Sequence, residues 1–154
     1  MKRYMLIVLI LLGLFASSVF AADPNYPDIQ VSKFVKNYDA DTITVNIEGW
    51  PRIIGEKISV RVNGIDTPEM KGGTEYSKTL AKQAKAFVKA LCVSAEKIVL
   101  KHPQRGKYFR IVADVEIDGM DLGEMLIMLG YAKKYDGKSA RPDWSKPKDE
   151  TISP

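Results

Sequence analysis

Three strand patterns follow one another between Ile29 and Asn63 with no helical period among them, and this limits the fold more than any other feature. Ile29, Val31 and Val35 share one parity. Ile43, Val45 and Ile47 alternate with Thr42, Thr44 and Asn46, and Ile58, Val60 and Val62 with Ser59, Arg61 and Asn63. Alternation at period two is the signature of a half-buried strand. Parallel neighbours would need crossover helices between them, so a parallel α/β sheet is excluded. The breaks are a turn at Asn37–Asp41, which puts Asp41 at a strand start, and a loop from Gly49 to Gly55.

A helix is expected from Thr74 or Glu75 to Leu91 or Cys92. Leu80, Ala84, Phe87, Val88 and Leu91 share one face, and Lys78, Lys82, Lys85 and Lys89 form a solvated stripe opposite. Lys97 to His102 reads as a fourth strand, closed by Pro103 and Gly106. Lys107 to Ile117 reads as a fifth, with Phe109, Ile111, Ala113, Val115 and Ile117 facing the core and Arg110 on the other side, like Arg61. Asp121 caps a second helix, with Glu124 in capping-box position and Leu122, Met125, Leu126 and Leu129 on its buried side; Gly130 ends it. The fold class is therefore α+β, mostly β: a five-stranded OB-fold Greek-key barrel with two or three helices.

The chain of 154 residues has room for one domain. Lys2 and Arg3 precede an apolar run from Met5 to Phe15 and small residues to Ala22, which describes a cleavable signal peptide over 1–21. The apolar run is shorter than the roughly 20 residues that span a bilayer. The mature protein is thus expected to be secreted or periplasmic, with no stable membrane association. Residues 22–30 form a lead-in, 31–136 the domain, and 137–154 a surface-wrapping or disordered tail rich in Pro, Lys, Asp and Ser. Cleavage removes two cations and no acids, lowering the net charge from +4 to +2, so a basic surface could only be local. Cys92 is the only cysteine, which excludes an internal disulfide and reads as a small core residue; His102 is the only histidine, which excludes His/Cys zinc sites.

Within that frame, Arg61-Val62-Asn63-Gly64-Ile65-Asp66-Thr67-Pro68-Glu69 places a cation and two carboxylates at a strand end. Asp41 and Asp66 are hard oxygen ligands suited to Ca²⁺ or Mg²⁺. Pro68 biases Thr67 toward an extended backbone, which can turn the Thr67 carbonyl to the same ion. Glu69 follows at once and can act as general base or orient a water. Arg61 and Arg110, on non-core faces of separate strands, form a guanidinium pair suited to phosphoryl oxygens. Arg61 and Asp66 can address one phosphate only if the chain bends between them, so a distortion is expected at Gly64.

These residues resemble the staphylococcal-nuclease-like (thermonuclease) family over roughly 31–136. The resemblance rests on Asp39-Ala40-Asp41-Thr42, Arg61 with Gly64 to Glu69, Lys107-Tyr108-Phe109-Arg110 and Gly130-Tyr131-Ala132. It implies an OB barrel and Ca²⁺-dependent cleavage of DNA and RNA that leaves 3′-phosphate ends. It further implies that Asp41, Asp66 and the Thr67 carbonyl bind calcium, that Arg61, Glu69 and Arg110 are catalytic, and that Lys107 and Tyr108 contact a nucleotide phosphate. Phe109 departs from the glycine the family often carries there, and Tyr131 and Tyr135 are only loose counterparts of its pocket tyrosines. A monomer is expected. The alternatives are a catalytically silent OB module that binds nucleic acid, which would not need an acid pair, and a calcium-stabilised structural domain, which would not need the arginines.

Overall fold

The computed structural model describes residues 26–147. The expected signal peptide and the last seven residues lie outside them. The strands are β1 (Ile29–Gln30), β2 (Lys33–Asn37), β3 (Thr42–Asn46), β4 (Ile58–Val62), β5 (Ile65–Asp66), β6 (Ile98–Arg105), β7 (Arg110–Ile117), β8 (Met120–Asp121) and β9 (Lys133–Lys134). The helices are α1 (Arg52–Gly55), α2 (Glu75–Ser94) and α3 (Leu122–Met128).

The main sheet runs β1-β6-β7-β4-β3-β2, with β8 added to β7. Its outermost strands, β1 and β2, are one stretch of chain that changes partner between adjacent residues. The Val31 amide donates to the Ile98 carbonyl at 3.0 Å, and the Ser32 amide to the Asn46 carbonyl at 2.9 Å. The sheet therefore curls back on itself in an OB-like barrel. Among the described strands only β4 and β7 pair in parallel, with α2 in the crossover between them. Inward-facing Ile43, Val45, Val60, Val62, Leu100, Val115 and Ile117 fill the interior, and α2 and α3 add Val88, Leu122 and Leu126.

The two longer helices are capped as their sequences require. The Thr74 hydroxyl accepts from the Ser77 amide and the Asp121 carboxylate from the Glu124 amide. In α2 the buried stripe is Ser77, Ala81, Ala84, Val88 and Cys92, while Leu80, Phe87 and Leu91 flank it half-buried, so the expected face is rotated slightly. Burial pushes the Cys92 thiol up to about 12, which makes it an inert core residue. Asn37 donates to the carbonyls of Asp39 and Lys85, both at 2.9 Å, tying the β2–β3 turn to α2.

Several local expectations change. The Gly49–Gly55 loop contains the single-turn α1. The fourth strand does not stop at Pro103. It continues to Arg105 across a register shift between Lys101 and Gln104, where His102 has φ 46° and no ladder amide is needed from the proline. The fifth strand begins only at Arg110. Tyr108 and Phe109 both have φ 57° and form the hairpin turn, so Phe109 leaves the strand alternation and is 61% exposed instead of facing the core.

The expected distortion at Gly64 is present. β4 ends at Val62, β5 begins at Ile65, and Gly64 lies between them at φ 72° with open space where a Cβ would sit. The turn is held on both sides, by the Asn63 amide on the Ala113 carbonyl and the Tyr135 amide on the Gly64 carbonyl, both at 2.9 Å. A Cβ at this φ meets its own backbone and nothing else. Gly64→Ala should therefore lower the unfolding free energy by about 1–2 kcal/mol with an unchanged denaturant slope. Equal midpoints for the two proteins in urea would show that the left-handed turn is not needed.

Candidate active site

Register brings the first acid to the first arginine. Thr42 lies opposite Arg61 in the β3–β4 ladder, so Asp41, one residue earlier, sits beside the Arg61 side chain. The Val62 amide donates to the Asp41 carbonyl at 2.8 Å and fixes that backbone. Arg61 Nη1 donates to Asp41 Oδ1 at 2.6 Å, and Thr67 Oγ1 donates to Asp41 Oδ2 at 3.1 Å. The Gly64 turn then returns the chain, so that Arg61 Nη2 donates to the Ile65 carbonyl at 3.2 Å and lies 3.8 Å from Asp66 Oδ1. One guanidinium thus meets both expected metal-ligating carboxylates. Asp41 is 2% exposed and Asp66 fully buried, with Thr67 buried beside them.

Two further partners of Asp66 come from the far end of the described chain. Arg141 donates to Asp66 Oδ1 from Nε at 2.9 Å and from Nη2 at 2.7 Å, and its Nη1 donates to Glu69. Trp144 Nε1 donates to Asp66 Oδ2 at 2.9 Å. The hydrogen bond to Glu69, then those to Asp66, raise the Arg141 pKa further above its already high value. Glu69 itself stands half-exposed at the edge of the cluster.

Asp39 is a third aspartate at this place. Its Oδ1 is buried with no hydrogen-bond partner among the described residues. Burial, and after it the negative charge of Asp41, pushes its carboxyl up to about 7, against the weaker opposing pull of Thr42 and Arg61.

The remaining expected residues stand apart. Arg110 opens β7 level with Ser59, whereas Arg61 is level with Val112, an offset of about 6–7 Å along parallel strands. Facing partners in a ladder share a face, so Arg110 projects on the Arg61 side. It joins no ion pair with the acids. Its Nε is buried without a partner among the described residues, at the edge of a groove of about 750 Å³ lined by Ile29, Trp50, Phe109 and Ile111. Lys107 and Tyr108 lie in the turn before it, Tyr108 being 90% exposed. Tyr131 packs on Phe87 with ring centroids 5.8 Å apart, and the Tyr135 hydroxyl donates to the Ser139 carbonyl.

Among the described residues no three His, Cys, Asp or Glu side chains converge as a ready metal cage, because guanidinium groups stand between the acids. The donor chemistry nonetheless fits a hard cation. Asp39, Asp41, Asp66 and Thr67 offer only oxygen, and the orphaned Asp39 Oδ1 is a buried acceptor that a cation would satisfy. Sequence reasoning named Asp39 only within a motif and missed Arg141 and Trp144 entirely. The one available signal was a tryptophan in an otherwise polar tail.

The Asp39 shift has a pH consequence with a definite sign. A carboxyl raised from 3.8 to about 7 binds its proton more tightly in the folded protein. That contribution is fully present below about pH 4 and is lost as the pH rises through about 7. In chelator, Asp39→Asn should therefore be more stable than the wild type at about pH 8, by about 1–2 kcal/mol, and indistinguishable near pH 4. Urea unfolding at the two pH values measures this, and a variant less stable at the higher pH would contradict it.

The sequence matches the family model described as staphylococcal nuclease homologue over residues 59–151. The match takes in Arg61, Asp66, Thr67, Glu69 and Arg110, and also Arg141 and Trp144. It covers well over half of the 154 residues and falls on an OB-like barrel. This chain belongs to the staphylococcal nuclease homologue family.

Proposed function

We propose that the protein is a secreted, calcium-dependent nuclease that hydrolyses phosphodiester bonds of DNA and RNA and leaves 3′-phosphate ends. Membership of the staphylococcal nuclease homologue family supports nucleic acid as the substrate class. The observation that carries the finer reading is the pair of buried carboxylates, Asp41 and Asp66, meeting on the Arg61 guanidinium. A fold does not remove two such charges from water for stability alone, since apolar residues there would cost less. Clustered, buried and charge-paired titratable groups in one place are what phosphoryl chemistry requires.

Asp41, Asp66 and the Thr67 carbonyl would hold the calcium ion, with Asp39 behind them. When bound, the ion would supply positive charge that polarises the phosphoryl group and the attacking water. Glu69, half-exposed at the edge of the cluster, would take the proton from that water as it attacks phosphorus. Arg61 and Arg110 project from adjacent strands on one face, and their forks suit the phosphoryl oxygens on which charge grows as the leaving oxygen departs. Among the described residues the Arg110 Nε has no partner, which leaves that donor available to a phosphate. Lys107 and Tyr108, in the exposed turn just before it, would contact a neighbouring phosphate, a reading their exposure supports. The N-terminal segment would direct the chain across a membrane and be removed after Ala21.

Plasmid DNA and RNA incubated with the mature protein should be cleaved in calcium and spared in chelator. Arg110→Ala should slow cleavage by about 10²–10³ and Glu69→Ala by about 10²–10⁴, without loss of the folded state. Intact substrates under every metal condition would leave a silent nucleic-acid-binding OB module as the reading. Unchanged rates in both variants would overturn the residue roles.

A further inference from the structure

The acidic cluster is covered from outside by a segment with no helix or strand of its own. After β9 the chain turns through Asp136 and Gly137, the latter at φ 75°, and returns across the site. Arg141 places three donors on Asp66 and Glu69, and the Trp144 indole takes the other Asp66 oxygen. Lys133, opposite Asp66 in the β5–β9 pair, holds the segment down: its Nζ donates to the Asp143 carbonyl at 2.5 Å and lies 4.5 Å over the Trp144 ring. Thr74 Oγ1 donates to the Ser145 carbonyl at 3.3 Å.

We propose that residues 141–145 are a built-in competitor of the divalent cation, in which the Arg141 guanidinium and Trp144 indole occupy Asp66 and Glu69 until a cation displaces them. This rests on the reading of Asp66 as a cation ligand. The physical basis is that a guanidinium held at 2.7 Å from Asp66 Oδ1 and a cation on the same oxygens would repel each other at contact distance. Release is also undemanding. The Arg141 side chain is 48% exposed, and the attachments named here involve a side chain at one end or both, so detachment breaks no strand ladder. Asp66 lies in β5, paired with Lys133 of β9, so when the segment leaves the cation meets a formed ligand instead of a mobile loop.

Calcium affinity, measured by calorimetry on the full mature chain, tests this without reference to catalysis. Arg141→Ala should bind calcium about tenfold more tightly than the wild type. Arg141→Lys, which keeps a charge but loses the fork, should fall between. In a Trp50→Phe background, Trp144 is the only tryptophan left, and saturating calcium should shift its emission to the red as it leaves Asp66 and Lys133. Equal or weaker calcium binding by Arg141→Ala, or a Trp144 signal indifferent to calcium, would overturn the competition while leaving the cation site standing. No calcium binding by either protein would overturn both the cation site and the competition.

Discussion

The Arg61 guanidinium lies between two carboxylates that the barrel has taken out of water, and the geometry of the site follows from that contact. A buried carboxylate without a partner costs several kcal/mol, and the Arg61 fork is the one group that reaches both Asp41 and Asp66 among the described residues. Three pieces of chain must be in register for it to do so. Thr42 must face Arg61 across β3 and β4, the Val62 amide must hold the Asp41 carbonyl, and the left-handed Gly64 must return the chain so that Asp66 comes back past the residue it follows. A slip of one residue in β4 would send Arg61 into the core and Val62 out. The apolar alternation of that strand, which exists to pack the barrel, therefore also aims the arginine.

What the sequence made legible is what local pattern controls. The period-two runs located the main strands, the helical period located α2, the Asp121 cap located α3, and a glycine between an arginine and an aspartate located the turn that joins them. Other features depend on contacts that no local pattern encodes. Phe109 sits on the core parity of a strand in the sequence, but the adjoining left-handed residue, Tyr108, shortens the strand, and nothing about either side chain announces φ 57°. Asp39 looks like a turn residue. Its backbone is tied to α2 through Asn37, which bonds the Asp39 carbonyl and, across 48 residues of sequence, that of Lys85. The bonds from Arg141 to Asp66 span 75 residues and arise in a segment without periodicity.

The parallel pairing of β4 and β7 gives the two arginines different tasks. Arg61 is committed to the acids, whereas Arg110, displaced along the neighbouring strand, carries a free donor at the rim of an apolar groove. Under the proposed function, a phosphate bound by both would lie between these positions, with the Asp41 and Asp66 carboxylates on one side of it. The nucleotide beyond Arg110 would then run toward Trp50 and Phe109, whose exposed rings offer stacking surface that tolerates any base. Phe109 in place of glycine costs no interior packing because the turn has already carried it outside.

Charge balance links the tail to the fold. Asp39, Asp41, Asp66 and Glu69 outnumber the guanidinium of Arg61, and burial, with the Asp41 charge second, pushes the Asp39 carboxyl up to about 7. Arg141 adds a second positive fork, on Asp66 and Glu69, and the Trp144 indole satisfies the one Asp66 oxygen that Arg141 leaves. The cluster thus has two ways to be neutral enough to remain buried, through its own arginine or through a divalent ion. Because both act on Asp66, whatever the tail contributes to stability must be given up when the ion binds. Under the proposed competition, the affinity for an ion would be the difference between two well-made arrangements, smaller than the donor set alone would produce.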